Sequence, residues 1–293
     1  YTLWELVDLP PVPTGPAEIA RVVVRGAEVF ILDRGGHRVY RRLLSPAGDA
    51  LEPVSADTLL VQKGETRRSI TVGDLVDMVW MTPGGDRKTQ GLMILERNGS
   101  LLEWDATRGV TVLPMADSAT WKKPQAAGTY FGSFYLLDPQ QNRILKYAPT
   151  PGGYTSPPTD YLPNPPGVDL SGAVDMAIDG NIYVLEAGGS IIKLLRGVRQ
   201  PFQLTNLDVP LNNPVDIFVT GDDDTRGYVY VADAGLARVV QFTKTGQFVR
   251  QLKAPEGQIA LSRLRTLFVD EAGQRIYLAS GSKLYMAPLP AIK

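Results

Sequence analysis

Short apolar runs, each four to six residues long and closed by turn residues, recur along the whole chain. Typical are VFIL at 29–32, LMIL at 92–95, FYLL at 134–137, IYVL at 182–185, VYVA at 229–232 and IYLA at 276–279. They are rich in β-branched and aromatic residues and lack a 3.6-residue period, so they predict strands rather than helices. The runs are apolar at consecutive positions instead of alternating. An antiparallel strand with that pattern has both faces covered, as happens when one sheet is stacked against the next.

Each run is followed by an acid (a serine in the last copy), then a Gly- or Asn-bearing turn, then a second apolar strand. The hairpins lie near 29–44, 92–105, 134–147, 182–195, 229–242 and 276–287. Their anchors, Asp33, Glu96, Asp138, Glu186, Asp233 and Ser280, are 63, 42, 48, 47 and 47 residues apart. A period of roughly 45 with one insertion is the spacing of propeller blades. An inner strand is expected before each hairpin, at 19–24, 75–80, 174–178, 215–219 and 264–269, with the weakest copy near 125–130. An outer strand is expected after it, as at 202–207 and 248–252. The last copy lacks an outer strand, and TLWELVDL at 2–9 can supply it. The expectation is therefore an all-β chain, a six-bladed β-propeller of four-stranded antiparallel blades, forming a single domain over 1–293. Its ring is closed by the N-terminal strand, which removes the exposed edges of an open array.

Composition fits this picture and narrows the chemistry. With 30 basic and 31 acidic residues, the chain lacks the basic excess of a nucleic-acid binder. It has no cysteine and a single histidine, His37, which excludes thiol catalysis and argues against multi-histidine metal centres. No apolar stretch is long enough to span a membrane. A chain that begins at Tyr1 without Met is expected to be processed or part of something longer, with a membrane anchor upstream as one arrangement.

The hairpin pairs Asp33–Arg38, Asp138–Arg143 and Asp233–Arg238 carry the D-x-x-x-x-R pattern, and with GGHRVY (35–40) and DAGLARVVQF (233–242) they resemble NHL repeats. Blades two and four shorten the turn, and blade six has Ser280 for the acid. The stretches VGDLVDMVW (72–80) and YFGSFYLLDPQQNRILKY (130–147) also look like extracytoplasmic propellers joined to bacterial membrane-anchored serine/threonine phosphatases or kinases. That resemblance implies a sensor module at the cell surface.

Because the Asp–Arg pairs recur, they read as scaffold: aspartate accepts turn N–H groups and pairs across the hairpin. His37, in one such turn, reads as structural too. The inner strands hold a non-repeating set: Arg21, Asp77, Gln125, Asp175, Asp216 and Arg265. These side chains are expected to ring one mouth of the central channel, either as inter-blade ion pairs or as a ligand site. Two arginines facing three aspartates would suit a ligand with a carboxylate. Three aspartates from three strands could instead hold calcium, giving a metal-dependent lactonase-like hydrolase as the alternative. No catalytic residues, no metal ligands and no cofactor are assigned. The 55–73 stretch is taken as the insertion, and its Lys63, Arg67 and Arg68, with Trp121 beside Lys122 and Lys123, are candidates for loop recognition. The Asp222–Asp224 run reads as a solvated loop tip. The sequence thus points to a non-catalytic binding or sensor module for a protein, peptide or small-molecule ligand.

Overall fold

The computed structural model describes residues 2–55, 58–223 and 225–292. Tyr1 and Asp224, singled out above, and residues 56 and 57 of the 55–73 stretch lie outside that set. The chain forms six four-stranded antiparallel sheets. Blade one is β2 (Ile19–Arg25), β3 (Glu28–Asp33), β4 (Arg38–Leu43) and β5 (Leu59–Gln62). Blade two is β8 (Leu75–Met81), β9 (Gly91–Glu96), β10 (Leu101–Asp105) and β11 (Gly109–Leu113), and blade three is β12 (Ala126–Tyr130), β13 (Ser133–Asp138), β14 (Arg143–Tyr147) and β15 (Thr159–Asp160). Blade four is β16 (Ala173–Ile178), β17 (Ile182–Glu186), β18 (Ile191–Leu195) and β19 (Val198–Gln200). Blade five is β20 (Pro214–Val219), β21 (Val229–Asp233), β22 (Arg238–Phe242) and β23 (Phe248–Lys253). Blade six takes β24 (Leu264–Asp270), β25 (Arg275–Ser280) and β26 (Lys283–Pro288), and its fourth strand is β1 (Trp4–Asp8), from the other end of the chain. A minor hairpin, β6 (Thr66–Arg67) with β7 (Ile70–Thr71), precedes blade two.

The inner strands touch in ring order, β2 to β8, β12, β16, β20, β24 and back to β2, so the sheets form a six-bladed β-propeller. Closure is specific: Trp4 pairs with Met286 and Asp8 with Lys283, the Leu9 N–H donates to Ser282 O at 2.9 Å, and Lys283 bridges to Glu5 at 2.8 Å.

Alternate residues of each strand face opposite neighbours, which explains the doubly apolar runs. Phe30 and Leu32 pack against Leu75, Met78 and Ile94 of blade two, whereas Val29 and Ile31 pack against Tyr277 and Ala279 of blade six. The same division holds in blade five, where Val229 and Val231 face blade four and Tyr230 and Ala232 face blade six. Burying each such side chain contributes about 1.5–3 kcal/mol, so the blade interfaces form the core.

The repeat anchors fix the entry to each blade. Asp33 accepts the Glu18 N–H at 2.8 Å, Asp138 those of Lys122 and Lys123, Asp233 that of Asn212 at 2.8 Å, and Glu96 that of Gly73. Ser280 does the same with its hydroxyl, accepting from Arg263 at 3.1 Å. Arg38 and Arg238 clamp their aspartates at 2.7 and 2.8 Å, while Arg143 stands 4.0 Å from Asp138. His37 serves the same joint: its Nδ1 accepts the Leu75 N–H at 3.1 Å, tying blade one to blade two.

Two expectations need correction. The outer strand of blade four is Val198–Gln200, not 202–207. Arg196 and Gly197 both take left-handed backbone (φ 51° and 79°), which turns the chain at once after Leu195. A Cβ on Gly197 would also meet Tyr161 O at 2.0 Å. Phe202, Leu204 and Leu207 lie instead in the link to blade five and pack against the core between blades four and five. The insertion is also placed differently. The 55–73 stretch contains the outer strand β5, and the 63–74 link is as long as 114–125 and 161–172. The extra residues of the first interval lie in 44–58, between β4 and β5, and in 82–90, between β8 and β9.

Candidate functional site

A β-bulge opens most of the inner strands and determines which residue reaches the axis. The pairing shifts between Ile19 and Arg21, Leu75 and Asp77, Ala173 and Asp175, Pro214 and Asp216, and Leu264 and Thr266. The residue after each bulge turns inward. The axial positions are therefore Arg21, Asp77, Ala126, Asp175, Asp216 and Thr266. Gln125 and Arg265 stand one residue earlier, Arg265 at the bulge and Gln125 just before β12.

Arg21 lies at the centre. Its Nε donates to Asp77 Oδ1 at 2.7 Å and its Nη2 to Asp77 Oδ2 at 3.2 Å. Nη2 also reaches Asp175 Oδ1 at 2.7 Å, and Nη1 bonds both Asp175, at 3.3 Å, and Asp216. Each aspartate then accepts a backbone N–H from another blade: Asp77 from Ala127 at 2.8 Å, Asp175 from Ile217 at 3.0 Å and Asp216 from Leu267 at 2.7 Å. Thr266 adds its hydroxyl to Asp216 at 2.9 Å. One guanidinium and three buried carboxylates thus join blades one to six at a single point.

Two of the carboxylates around this one cation are shifted in opposite directions. Burial, and then the neighbouring Asp175, push the Asp216 carboxyl well above its usual range. Burial would also raise Asp175, but Arg21 and the hydrogen bonds from Asp216 and Ile217 outweigh it, and Asp175 titrates low. The two carboxyls titrate as a coupled pair. Burial alone would weaken the Arg21 charge, yet the three carboxylates reverse this and hold it cationic.

The cluster closes the channel and divides it in two. On the side where the inner strands begin is a polar mouth of about 210 Å³, lined by Glu18, Arg34, Gln125, Asn213 and Arg265 with Asp175 and Asp216 behind them. Arg34 leans over it, with one Nη2 donating to Val76 O at 2.9 Å. Its charge is weakened by burial and by Arg21, and supported by Asp77, Glu18 and Asp175. Gln125, which lines the mouth, donates its amide to Val174 O at 3.0 Å. Arg265 does not face the aspartates: it is 41% exposed and pairs with Glu18 at 2.6 Å. The expected pair of arginines at the axis is therefore Arg21 alone, with Arg34, which the sequence reading did not single out, above it. Arg34 was hidden because it sits in a repeat turn, directly after the anchor Asp33.

The loop candidates are scattered. Lys63 pairs with Asp74 at 2.6 Å, Arg67 with Glu65 at 2.6 Å and with Leu60 O, and Arg68 is exposed with left-handed backbone. Trp121 is not a surface aromatic. It is buried, and its indole N–H donates to the Tyr147 hydroxyl at 2.7 Å.

Bladed ring, inter-blade core and axial plug define a six-bladed β-propeller. The chain resembles a solved chain from a structure titled "Crystal structure of Nidogen/Laminin Complex", at 14% identity and a TM-score of 0.55, covering 84% of this chain and 82% of that one. Neither a protein-family model nor a curated protein matches the sequence. Among the described residues, no helix is long and apolar enough to cross a membrane.

Proposed function

We propose that this propeller is a non-catalytic binding module whose ligand enters the polar mouth and is gripped by Arg34. The observation that carries the reading is the engagement of the axis. Asp77, Asp175 and Asp216, the residues a hydrolase would need for calcium or acid–base work, hold Arg21 and backbone N–H groups instead. Arg21 pairs with all three carboxylates, and among the described residues no group of three carboxylates is placed to hold a metal ion. Arg34, by contrast, keeps donors beyond its bond to Val76, and Gln125, a side chain with an acceptor of its own, lines the same mouth. Donor and acceptor together suit a ligand that carries a carboxylate near a polar group, such as a peptide end.

The neighbour's title, which names a complex of two proteins, is consistent with a propeller used for binding. The NHL-like hairpins and the resemblance to extracytoplasmic sensor propellers extend the proposal: a bacterial sensor module outside the cytoplasm, displaying this mouth to a peptide or small ligand. The test is a thermal-shift screen of dipeptides and amino acids against the wild-type chain and Arg34→Ala. Hits that stabilise the wild type and are lost in Arg34→Ala, with both proteins equally folded, would support the mouth. Hits indifferent to Arg34, or calcium-dependent lactone hydrolysis, would overturn it.

A further inference from the structure

On the face where the inner strands end, away from the polar mouth, a cleft of about 420 Å³ lies between blades two and three. One wall is the 82–90 connection between β8 and β9, where the chain exceeds its repeat. The other is 149–154, which follows β14.

Its base departs from the repeat as well. Three residues before each hairpin anchor, the second strand of a blade pairs with a residue of the third. That residue is Arg41, Lys146, Lys193, Gln241 or Met286 in the other blades and Glu103 in blade two, the one acid of the set. Glu103 is buried, and Gly91 keeps its place free, since a Cβ there would meet Glu103 Oε1 at 2.8 Å. Each carboxylate oxygen holds an arginine: Oε1 accepts from Arg87, carried by the 82–90 connection, and Oε2 from Arg108 at 3.0 Å. Arg108 also donates its Nε to Asp105 at 2.6 Å.

With its buried carboxylate answered, the cleft has donors to spare. The Arg87 side chain is only 9% exposed, and its Nε is buried with no hydrogen-bond partner among the described residues. Arg108 is half-exposed, and Lys88 donates to Gly85 O at 2.8 Å from an exposed position. The lining thus sets the cations Arg87, Lys88 and Arg108 against Glu103, already paired, and the exposed Asp86. A ligand gains here by bringing negative charge and oxygen acceptors. Two guanidiniums and an ammonium suit phosphate, whose charge and oxygens exceed those of a carboxylate and whose geometry matches arginine's planar fork. Leu113, Pro149 and Pro151 add apolar wall for the group that carries it.

We infer that the cleft between blades two and three is a second site, independent of the polar mouth, for a phosphate monoester of a small organic molecule. Arg87, Lys88 and Arg108 hold the phosphate, and the organic group lies against the prolines.

The experiment titrates the whole chain with phenyl phosphate, read by calorimetry and melting temperature, with inorganic phosphate and benzoate as comparisons at matched ionic strength. Phenyl phosphate should bind saturably and more tightly than either. Lys88→Ala and Arg108→Gln, both at exposed positions, should each weaken it by roughly tenfold. Lys88→Ala alone carries that test should the arginine variant not fold. Asp86→Asn should tighten binding, because it removes a carboxylate from the same lining. Arg34→Ala should leave it unchanged, which separates this site from the mouth. Absence of saturable phenyl phosphate binding to the folded wild type, equal binding by a folded Lys88→Ala variant, or equal binding of benzoate or inorganic phosphate would each overturn the inference.

Discussion

Arg21 and Asp77 meet as a two-pronged pair, Nε to Oδ1 at 2.7 Å and Nη2 to Oδ2 at 3.2 Å, joining the inner strands of blades one and two. The fork fixes the plane of the guanidinium. Its remaining donor directions then point at Asp175 and Asp216, across the axis. Removing Arg21 leaves three buried carboxylates facing one another, and breaking a buried pair of this kind costs about 3–5 kcal/mol. Arg21→Ala should therefore show a large fall in melting temperature. Arg265→Ala, which loses only a half-exposed pair with Glu18, should stay within about 1 kcal/mol of wild type. Similar losses from both would mean that the axis is not held by Arg21.

The opposite shifts of Asp216 and Asp175 make this joint sensitive to pH. Asp216 is raised in the folded state, so its contribution is fully present below the unfolded carboxylate pKa and is lost as pH rises toward the folded value. Asp175 is lowered, so its contribution is present above the unfolded pKa and is lost as pH falls through the folded value. Asp216→Asn keeps an amide donor toward Asp175 but removes the titrating carboxyl. Its stability should change less than the wild type's from mildly acidic to alkaline pH. Unfolding curves over that range check this, and parallel pH profiles for the two proteins would refute it.

His37 gives a second, separable pH response. Its Nδ1 accepts the Leu75 N–H, and burial holds its pKa below the usual value. A lowered histidine stabilises above its unfolded pKa, and the stability is lost as pH falls through the folded one. His37→Asn should remove the part of the acid destabilisation that sets in just below pH ~6.5. Because the chain has no other histidine, any remaining step in that window must arise elsewhere.

Ring closure rests on β1. Deleting residues 2–9 should bare the edge of β26 and the apolar surface around Leu284 and Met286, which Leu6, Val7 and Leu9 pack against. The truncated chain should melt earlier and self-associate through the free edge. Light scattering and thermal unfolding test this. An unaltered, monodisperse truncation would show that the ring holds without its closing strand.

The blade hairpins, their period and the borrowed strand were legible because stacked sheets impose apolar residues on both faces, a pattern visible residue by residue. The axis was only half legible. Arg21, Asp77, Asp175 and Asp216 stand out as charges inside apolar strands, but Arg265 and Gln125 are similar charges and amides one step away. Only the strand register, set by the bulge in blade six and by direct pairing with Leu137 in blade three, assigns the axial places in those blades to Thr266 and Ala126. Trp121 misled for a related reason: neighbouring lysines suggest exposure, while the partner that buries its indole, Tyr147, is distant in sequence. The insertion was displaced because the anchor spacing measures only the sum of several connections.

The plug also makes a prediction about metals. Asp77, Asp175 and Asp216 reach the nitrogens of one guanidinium from three strands; as placed they do not form a metal-binding group among the described residues, and they would have to close on calcium once Arg21 is gone. In the wild type the guanidinium satisfies them, and a divalent ion would have to displace it, so chelators should leave the melting temperature unchanged. In Arg21→Ala the same carboxylates face a vacated space with uncompensated charge. Calcium added to that variant should recover part of the lost stability, rising with concentration as expected for a ligand that binds only the folded state, by about 2.7 kcal/mol at a hundredfold excess over its dissociation constant. Sodium at equal ionic strength should recover much less, because screening is weak between buried groups. Thermal unfolding of both proteins with chelator, calcium and sodium decides the matter. A wild type that loses stability on chelation would show that a metal, rather than Arg21, holds the axis. A variant indifferent to calcium would show that the three carboxylates spread apart once the arginine is gone.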